Sequence, residues 1–345
     1  MKLTIERAAL LAALGHMQGV VERRTTIPIL SNVLIEASGD RCTLTATDLD
    51  IAVVESVAAK VGKAGATTAP AHTLHDIVRK LPDGAEVEIA SLPEQRLSLR
   101  AGRSNFQLAC LPKEDFPAMT AGDFPHHFTL PADVLRRLID KTRFAISVEE
   151  TRYYLNGVYL HAAKTDGKRV LRAVATDGHR LARVEAPLPE GAADITLSPT
   201  RIRLACGDVV LVSKLIDGTF PDYERVVPTR NDKRLEVDGK TLAAAVDRVS
   251  TIASDKSRAI KMAVAKDRLT LSATSPEHGS ASEEIVVAYD SAPMEIGFNS
   301  RYLLDIAAQI DGDNACFNLA DAASPILVRD SSDDSASYVL MPMRV

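Results

Sequence analysis

The chain has 345 residues; 46% are hydrophobic, 25% are charged, and the formal net charge is −5 at pH 7. This apolar share supports packed cores and excludes an intrinsically disordered chain, and the length predicts two or three domains. No apolar run approaches the roughly 20 residues that span a bilayer, and no secretory signal precedes the strand-like Leu3–Ile5, so we expect a cytoplasmic protein. Four cysteines without a C-x-x-C motif are predicted to fill cores in a reducing compartment: Cys42, Cys110, Cys206 and Cys316.

Three segments of the chain share one order of predicted elements. Each opens with a short strand, is followed by an amphipathic helix, and continues into an antiparallel hairpin such as the one that turns at Asp166–Gly167. In the middle copy Leu135, Leu138 and Ile139 form the predicted apolar stripe of the helix. The repeat predicts an α+β fold of three similar domains, with helices on one side and antiparallel sheets on the other, at residues 1–121, 122–229 and 230–345.

The middle domain is short. The stretch from Thr176 to the predicted strand Val209–Val212 is roughly 25–30 residues shorter than its equivalents in the other copies. The absent part should contain the second helix, because Pro187–Asp194 runs directly into the predicted strand Ile195–Leu197. Either the domain has lost this helix or a segment near residue 194 is omitted. We favour omission, because loss would leave the sheet uncovered.

The strongest candidate for catalysis is Asp177–Gly178–His179–Arg180, because a histidine beside an aspartate can act as a general base. No G-x-S-x-G, P-loop, G-x-G-x-x-G or H-E-x-x-H motif accompanies it. We therefore favour an Asp-Gly turn that closes a strand. A hydrolase or metal enzyme centred on His179 and Asp177 is the alternative.

Two further clusters carry little chemistry. His72 and His75 would share a helix face, but without an acidic or thiol ligand beside them a solvated face is favoured over a metal site. Asp48 and Asp50 are predicted to lie along one strand and to face opposite sides, which is poor geometry for shared acid catalysis. The sequence thus predicts no catalytic residue, no metal and no cofactor.

The distribution of charge is more informative than its sum. The mild net acidity argues against binding nucleic acid by bulk charge, yet the predicted helical windows carry about +5 and the remainder about −10. If the helices share one side of the sheets, that side is basic and would hold a phosphate backbone weakly and without sequence preference. With 4% aromatic residues and no Trp, stacking on single-stranded bases is not expected.

The segment Tyr338–Val345 stays apolar, and Met341 and Met343 flank Pro342, which cannot continue a β-ladder. Methionine adapts to surfaces that receive several partners. We predict a core strand before the proline and the lip of a binding groove at Met343–Val345.

Five motifs of the chain form one recognisable set: Thr26–Asn32, Arg152–Gly157, Ala175–Ala182, Asp217–Tyr223 and Tyr338–Arg344. Together they resemble the bacterial DNA polymerase III β subunits, the replication sliding clamps. The resemblance implies a head-to-tail homodimeric ring of six domains around duplex DNA, with helices lining the hole. It implies a processivity factor without a catalytic site or a cofactor. The implied partners are double-stranded DNA without sequence preference, the polymerase III catalytic subunit, a clamp loader, and other polymerases and repair proteins that bind through short peptide motifs, with no membrane.

The same resemblance implies a groove that binds partner peptides, formed by the middle and last domains. Ser257 stands where the family often has a bulky aromatic residue, so one side of the groove is expected to be more open. Val345 replaces a common final leucine, which is a smaller change. The implied groove residues are Leu155, Thr176, Gly178, His179, Arg180, Leu181, Pro221, Arg225, Val226, Asn299, Tyr302, Val339, Leu340, Met341, Pro342, Met343 and Arg344.

A second implied set faces DNA. Arg24, Tyr153 and Tyr154 match family positions, whereas Glu149 stands where a neutral polar residue often approaches DNA and would repel phosphate. The remaining members are predicted from their helices alone: Lys80, Arg136, Arg137, Lys141, Arg143 and Arg248.

Overall fold

The computed structural model describes residues 1–117, 124, 126–189, 194–197, 200–253 and 258–344. These residues form two compact units. One unit contains the described residues of 1–132 and 190–215, and the other contains those of 133–189 and 216–345. Both units are built from antiparallel sheets with helices packed on them, which confirms the predicted fold class.

The first unit contains two antiparallel sheets. The elements are β1 (Lys2–Glu6), α1 (Arg7–Val20), β2 (Asn32–Ser38), β3 (Arg41–Thr47), β4 (Ile51–Ala58), β5 (Lys60–Lys63), β6 (Gly65–Pro70), α2 (Ala71–Lys80), β7 (Glu86–Leu92), β8 (Arg96–Ala101), β9 (Ser104–Ala109), β10 (His126–Thr129) and, further along the chain, β14 (Asp194–Leu197), β15 (Arg201–Cys206) and β16 (Val209–Lys214). One sheet has the strand order β5-β1-β7-β8-β9, and the other has the order β10-β14-β15-β16-β4-β3-β2-β6.

The second unit also contains two antiparallel sheets. Its elements are α3 (Ala132–Asp140), β11 (Tyr159–Thr165), β12 (Lys168–Thr176), β13 (Arg180–Pro187), β17 (Lys233–Asp238), α4 (Gly239–Ser250), β18 (Ala259–Ala265), β19 (Arg268–Ser275), β20 (Gly279–Val286), β21 (Ala288–Tyr289), β22 (Met294–Asn299), α5 (Ser300–Ala307), β23 (Asn314–Leu319), β24 (Ile326–Asp330) and β25 (Asp333–Leu340). The strand orders are β11-β12-β13-β25-β24-β23-β17-β21 and β20-β19-β18-β22.

The strand that opens each repeat leads directly into a helix, as β1–α1, β10–α3 and β17–α4. In α1 the side chains of Leu10, Leu14 and Met17 are fully buried at helical spacing. In α4 the Asp238 side chain accepts a hydrogen bond of 2.7 Å from the Thr241 N–H and caps the helix. The predicted repeat of strand, helix and hairpin is therefore present three times in the described residues.

Helix α3 differs from the other helices. Helix α1 packs on α2, and α4 packs on α5, whereas the described residues of 122–229 contain no second α-helix beside α3. Leu138 is buried, but Ile139 is 40% exposed. The predicted stripe is thus wrong at Ile139, because no helix in the described part of this segment covers it.

The prediction for the cysteines is confirmed at three positions and wrong at one. Cys42, Cys110 and Cys316 are buried, and burial raises the pKa of the Cys42 thiol to about 12. Cys206 is exposed because it ends β15 beside the turn at Gly207. No helix among the described residues has the length and apolar character needed to cross a membrane.

The uncovered face of α3 predicts a contrast between neighbouring residues. Ile139→Lys should change the free energy of unfolding by no more than about 0.5 kcal/mol, because its side chain is largely in water. Leu138→Ala should lower it by about 2–4 kcal/mol, because it leaves a cavity. Urea unfolding of both variants measures the two values, and an equal loss would mean that the Ile139 face is covered.

Candidate functional site

The turn between β12 and β13 is built by its own side chains. Thr176 Oγ1 donates to the Arg180 carbonyl at 2.7 Å and accepts from the Gly178 N–H at 3.1 Å. Asp177 Oδ1 accepts from the N–H groups of His179 and Arg180 at 2.9 and 3.0 Å. Gly178 has a φ of +88°, a conformation that favours glycine. The predicted Asp-Gly turn is confirmed, and it occupies the carboxylate that the catalytic alternative requires.

The first repeat contains the same turn at its equivalent place. Thr47 Oγ1 donates to the Ile51 carbonyl and accepts from the Leu49 N–H, at 2.8 and 3.0 Å. Asp48 Oδ1 accepts from the N–H groups of Asp50 and Ile51, at 2.9 and 2.6 Å. Asp48 and Asp50 therefore lie in a turn. The prediction that they lie along one strand and face opposite sides is wrong, because β3 ends at Thr47 and residues two apart on a strand would share a face.

Arg180 is held by charges and rings. Its guanidinium donates to Asp177 at 3.0 Å and to Asp305 on α5. It lies 4.4 Å from the centre of the Tyr302 ring and 5.2 Å from that of Phe144, and the residue is 9% exposed. Two carboxylates and two aromatic faces compensate this buried charge.

The C-terminal segment passes along the same turn. Strand β25 pairs with β13, with Arg180 opposite Leu340 and Leu181 opposite Val339. Beyond Leu340 the Met341 N–H donates to the His179 carbonyl at 2.9 Å, and the Met343 N–H donates to the Gly297 carbonyl at 2.9 Å. The core strand predicted before Pro342 is confirmed.

An apolar cluster lies beneath this turn. Val174, Leu181, Tyr223, Leu327 and Val339 are buried together, with Phe220 and Val227 packed against them. His179, two residues before Leu181, is exposed, and its ring stacks on the Tyr302 ring at 6.3 Å. The turn thus links a buried apolar cluster, which we call the floor, to an exposed pair of rings.

The segment that carries Pro221, Arg225 and Val226 is anchored by aromatic contacts. Tyr159 stacks on Phe220, with ring centres 4.9 Å apart. The Tyr223 hydroxyl accepts a hydrogen bond of 2.8 Å from Arg172 and shares one of 3.0 Å with His161 Nε2. Burial lowers the pKa of His161 and raises that of Tyr223.

Arg172, which makes this anchor, is itself buried and paired with Glu185 at 2.8 Å and Glu224 at 2.7 Å. Sequence reasoning missed it, as it missed His161 and Tyr159. The only sequence signal was the alternation of side chains along β11 and β12. It indicates which residues share a face of the sheet, but not which residues of another segment they contact.

Two of the remaining groove residues, Leu155 and Asn299, lie on segments that contact the turn. The short 3₁₀ helix Glu150–Leu155 brings Arg152 to 3.2 Å from the Asp177 carbonyl, and it ends in the buried Leu155. Asn299 caps α5 by accepting from the Arg301 N–H at 3.0 Å and so orients the helix that carries Tyr302. Ser257 and Val345 lie outside the described residues.

The predicted DNA-facing residues divide into two groups. Arg24 and Lys80 are exposed, and Tyr153 and Tyr154 are 55% and 37% exposed. Arg137 instead donates to Asp333 and, at 2.7 Å, to Ser335.

Other cations of this set are also paired. Lys141 is only 12% exposed and pairs with Asp311 at 2.8 Å. Arg136 and Arg143 each lie 3.3 Å from Asp140. The Arg248 guanidinium donates two hydrogen bonds, of 2.5 and 2.9 Å, to the Glu283 carboxylate. Glu149 lies 3.1 Å from Arg152. Exposed Arg24 and Lys80 are thus better placed to meet a phosphate than Arg137 and Lys141.

The histidine pair on α2 is neither a solvated face nor a metal site. His72 Nε2 hydrogen-bonds the Val21 carbonyl at 2.9 Å, and the side chain of His75 is 14% exposed. The predicted solvated face is wrong, because α2 packs on α1 at this point. Within the described residues no group of three potential ligands forms a metal centre.

Comparison with known proteins identifies the family. Models of the DNA polymerase III beta subunit match residues 1–120 with its N-terminal domain, 129–195 with its central domain and 224–344 with its C-terminal domain. The chain belongs to this family. Its function is that of a sliding clamp, a processivity factor in DNA replication, and the family has no catalytic role. The hydrolase alternative is not supported.

Individual relatives agree along the whole chain. The beta sliding clamp of Caulobacter vibrioides is 52% identical over 372 residues, and that of Escherichia coli K12 is 37% identical over 371, each with full coverage of both chains. The structure is similar to a Caulobacter crescentus clamp with bound PEG (TM-score 0.94, 52% identity, coverage 100% and 99%) and to a Bartonella birtlesii clamp bound to griselimycin (0.95, 48%, full coverage of both).

Substitution by alanine is expected to have opposite effects on stability at Gly178, in the turn, and at Gly15, inside α1. Gly178→Ala should lower the free energy of unfolding by about 1 kcal/mol or more, because of its positive φ and because an added Cβ would lie 3.0 Å from Arg152 Nη1. Gly15→Ala should raise it by up to about 1 kcal/mol, because Gly15 lies inside α1 with no atom within 4 Å of the added Cβ. Urea unfolding measures both, and equal signs would contradict this account of the turn.

Proposed function

We propose that two copies of this chain form a head-to-tail ring around duplex DNA and tether a DNA polymerase through the groove at the Thr176–Arg180 turn. The observation that carries the tether is that this turn bonds both to α5, through Arg180 and Asp305, and to the C-terminal segment, through the Met341 N–H, next to the floor residues Leu181 and Val339. We place the protein in the cytoplasm with the replication machinery.

The groove suits a short, largely apolar peptide. Its floor residues Leu181 and Val339 are buried, while His179 at the rim is exposed. The charge of Arg180 is neutralised by its two carboxylates, so an apolar side chain entering the groove meets no uncompensated ion. Half-buried Met341 and Met343 adapt to different partners. The proposed partners are the polymerase III catalytic subunit, the clamp loader, and other polymerases and repair proteins.

Truncation after Leu340 tests the tether. The variant should lose stimulation of DNA synthesis by the polymerase III catalytic subunit, because the rim past the turn is removed. It should remain a dimer, because β25 ends at Leu340. Primer extension and light scattering give the two readouts, and either retained stimulation or loss of the dimer would contradict the groove.

Duplex DNA is proposed to pass the exposed cations Arg24 and Lys80. Neither residue has an ion-pair partner among those that the structure describes, so each charge is available to a phosphate. A few such contacts give weak binding without sequence preference, which permits sliding while the ring retains the DNA by topology.

Charge reversal tests the DNA contacts. Arg24→Glu with Lys80→Glu should slow loading onto circular DNA at low salt and reduce the slope of log rate against log salt by roughly 1 for each lost contact. Lys168→Glu is the matched control, because Lys168 is exposed in the β11–β12 hairpin. Equal loading by all variants would exclude these contacts.

The homodimer is proposed to form by pairing of edge strands. Strands β9 and β20 each lie at the end of a sheet, and an unpaired edge accepts another strand. Exposed Arg100 and Arg103 lie next to β9, whereas β20 carries Glu283 and Glu284. Opposite charges on two different edges favour head-to-tail pairing between copies.

A pair of exposed valines tests this interface. Val286 on β20 is 86% exposed, and Val148 in a loop is 92% exposed. Val286→Asp should weaken the dimer, because it places a charge beside the proposed strand pair, and Val148→Asp should leave it unchanged. Light scattering at micromolar concentration compares them, and a monomeric wild type would refute the ring.

We also propose the domain boundaries 1–121, 122–229 and 230–345, with a helix-containing segment absent near residue 194. The alignment with the Caulobacter vibrioides clamp spans 372 positions against 345 residues here, a difference of 27. The central-domain match ends at residue 195, and α3 has an uncovered residue at Ile139. All three support a helix that would pack on α3.

A further inference from the structure

Two residues outside the predicted groove make the contacts that hold Arg180. Asp305 lies on α5 and receives a hydrogen bond from the Arg180 guanidinium. Phe144, in the 3₁₀ helix Arg143–Ala145, lies under the same guanidinium at 5.2 Å. The Phe144 ring also contacts the ring of Tyr338, 5.8 Å between centres, and Tyr338 is fully buried in β25.

Arg180 supports one wall of the groove, by which we mean the rings of Tyr302 and His179. Tyr302 lies three residues before Asp305 on α5, so both side chains project on one face of the helix. The guanidinium donates to Asp305 and is covered by Tyr302 at 4.4 Å. Tyr302 in turn stacks on the exposed His179 ring at 6.3 Å. The contacts therefore run from Asp305 through Arg180 and Tyr302 to His179.

Loss of the Asp305 charge would leave Arg180 with one carboxylate. A buried guanidinium that loses a carboxylate partner moves to recover a hydrogen bond, because an unpaired buried charge is costly. Asp177, its other partner, is already engaged in the turn through Oδ1. The guanidinium would then withdraw from Tyr302, and the wall would lose its support.

We propose that Asp305 and Phe144 are positioning residues that set the wall of the peptide groove through Arg180. The proposal rests on the peptide-binding function proposed above. It assigns a role in partner affinity to two residues that do not line the groove.

The test compares Asp305→Asn with Asp311→Asn. The control carries the same substitution beside the end of α5, at a carboxylate that is 77% exposed and pairs with Lys141. The first readout is the Kd for the polymerase III catalytic subunit. Asp305→Asn should weaken binding about tenfold, the effect of losing one well-placed contact, and Asp311→Asn should leave it within about twofold.

A double-mutant cycle separates positioning from a general loss of stability. If Asp305 acts through Arg180, Arg180→Gln with Asp305→Asn should bind no more weakly than Arg180→Gln alone. Phe144→Leu should weaken polymerase binding when Arg180 is present and have little effect in the Arg180→Gln background. Additive losses would overturn the proposal, as would equal losses in Asp305→Asn and Asp311→Asn.

A readout without a partner distinguishes this proposal from the proposed function. The NMR signals of the His179 ring in the free protein should shift in Asp305→Asn and stay in place in Asp311→Asn. Unshifted His179 signals would overturn the positioning role. If they shift while the wild type fails to bind the polymerase, the positioning role holds and the proposed tether is wrong.

Discussion

The candidate groove depends on the pairing of β25 with β13. Their ladder places Arg180 opposite Leu340 and Leu181 opposite Val339, and its register is set to single residues, since a slip by one would turn Val339 out of the floor. The segment that leaves β25 must therefore pass the His179 carbonyl, where the Met341 N–H donates to it. The Thr176–Arg180 turn and the C-terminal segment are distant in sequence, and the antiparallel ladder between β13 and β25 brings them together.

The two copies of the Thr-Asp turn show how one local structure acquires different roles. Both have the same four hydrogen bonds and a positive φ at the third residue, Leu49 in the first copy and Gly178 in the second. Around the second copy, α5 supplies Tyr302 and Asp305, which join the turn through Arg180. In the first copy the exposed Asp50 pairs with Lys214 at 2.7 Å. The turn itself is therefore a structural element of both repeats, and only the copy that contacts α5 belongs to the candidate groove.

Buried cations organise the second unit. Arg172 and Arg180 are each less than 10% exposed and each has two carboxylate partners. Such buried ion pairs add little net stability. Removing one partner leaves the other charge buried and unpaired, which is costly, so the pairs fix the positions of the side chains that make them. Arg137 and Lys141 on and after α3 are also engaged, with Asp333 and Asp311. Arg137 and Lys141 are therefore less available to DNA than the exposed Arg24 and Lys80, a difference that the sequence pattern does not show.

The sequence by itself determined the repeat of strand, helix and hairpin, the Asp-Gly turn and the family, because these follow from residue spacing and from the backbone preferences of a few residues. It was wrong or silent about the exposure of Cys206 and Ile139, the turn at Asp48 and the partners of Arg137. Asp305 and Phe144 likewise carried no signal of their own. Only the tertiary structure decided these points, because burial and ion pairing depend on which distant segments pack together, and no local pattern contains that information.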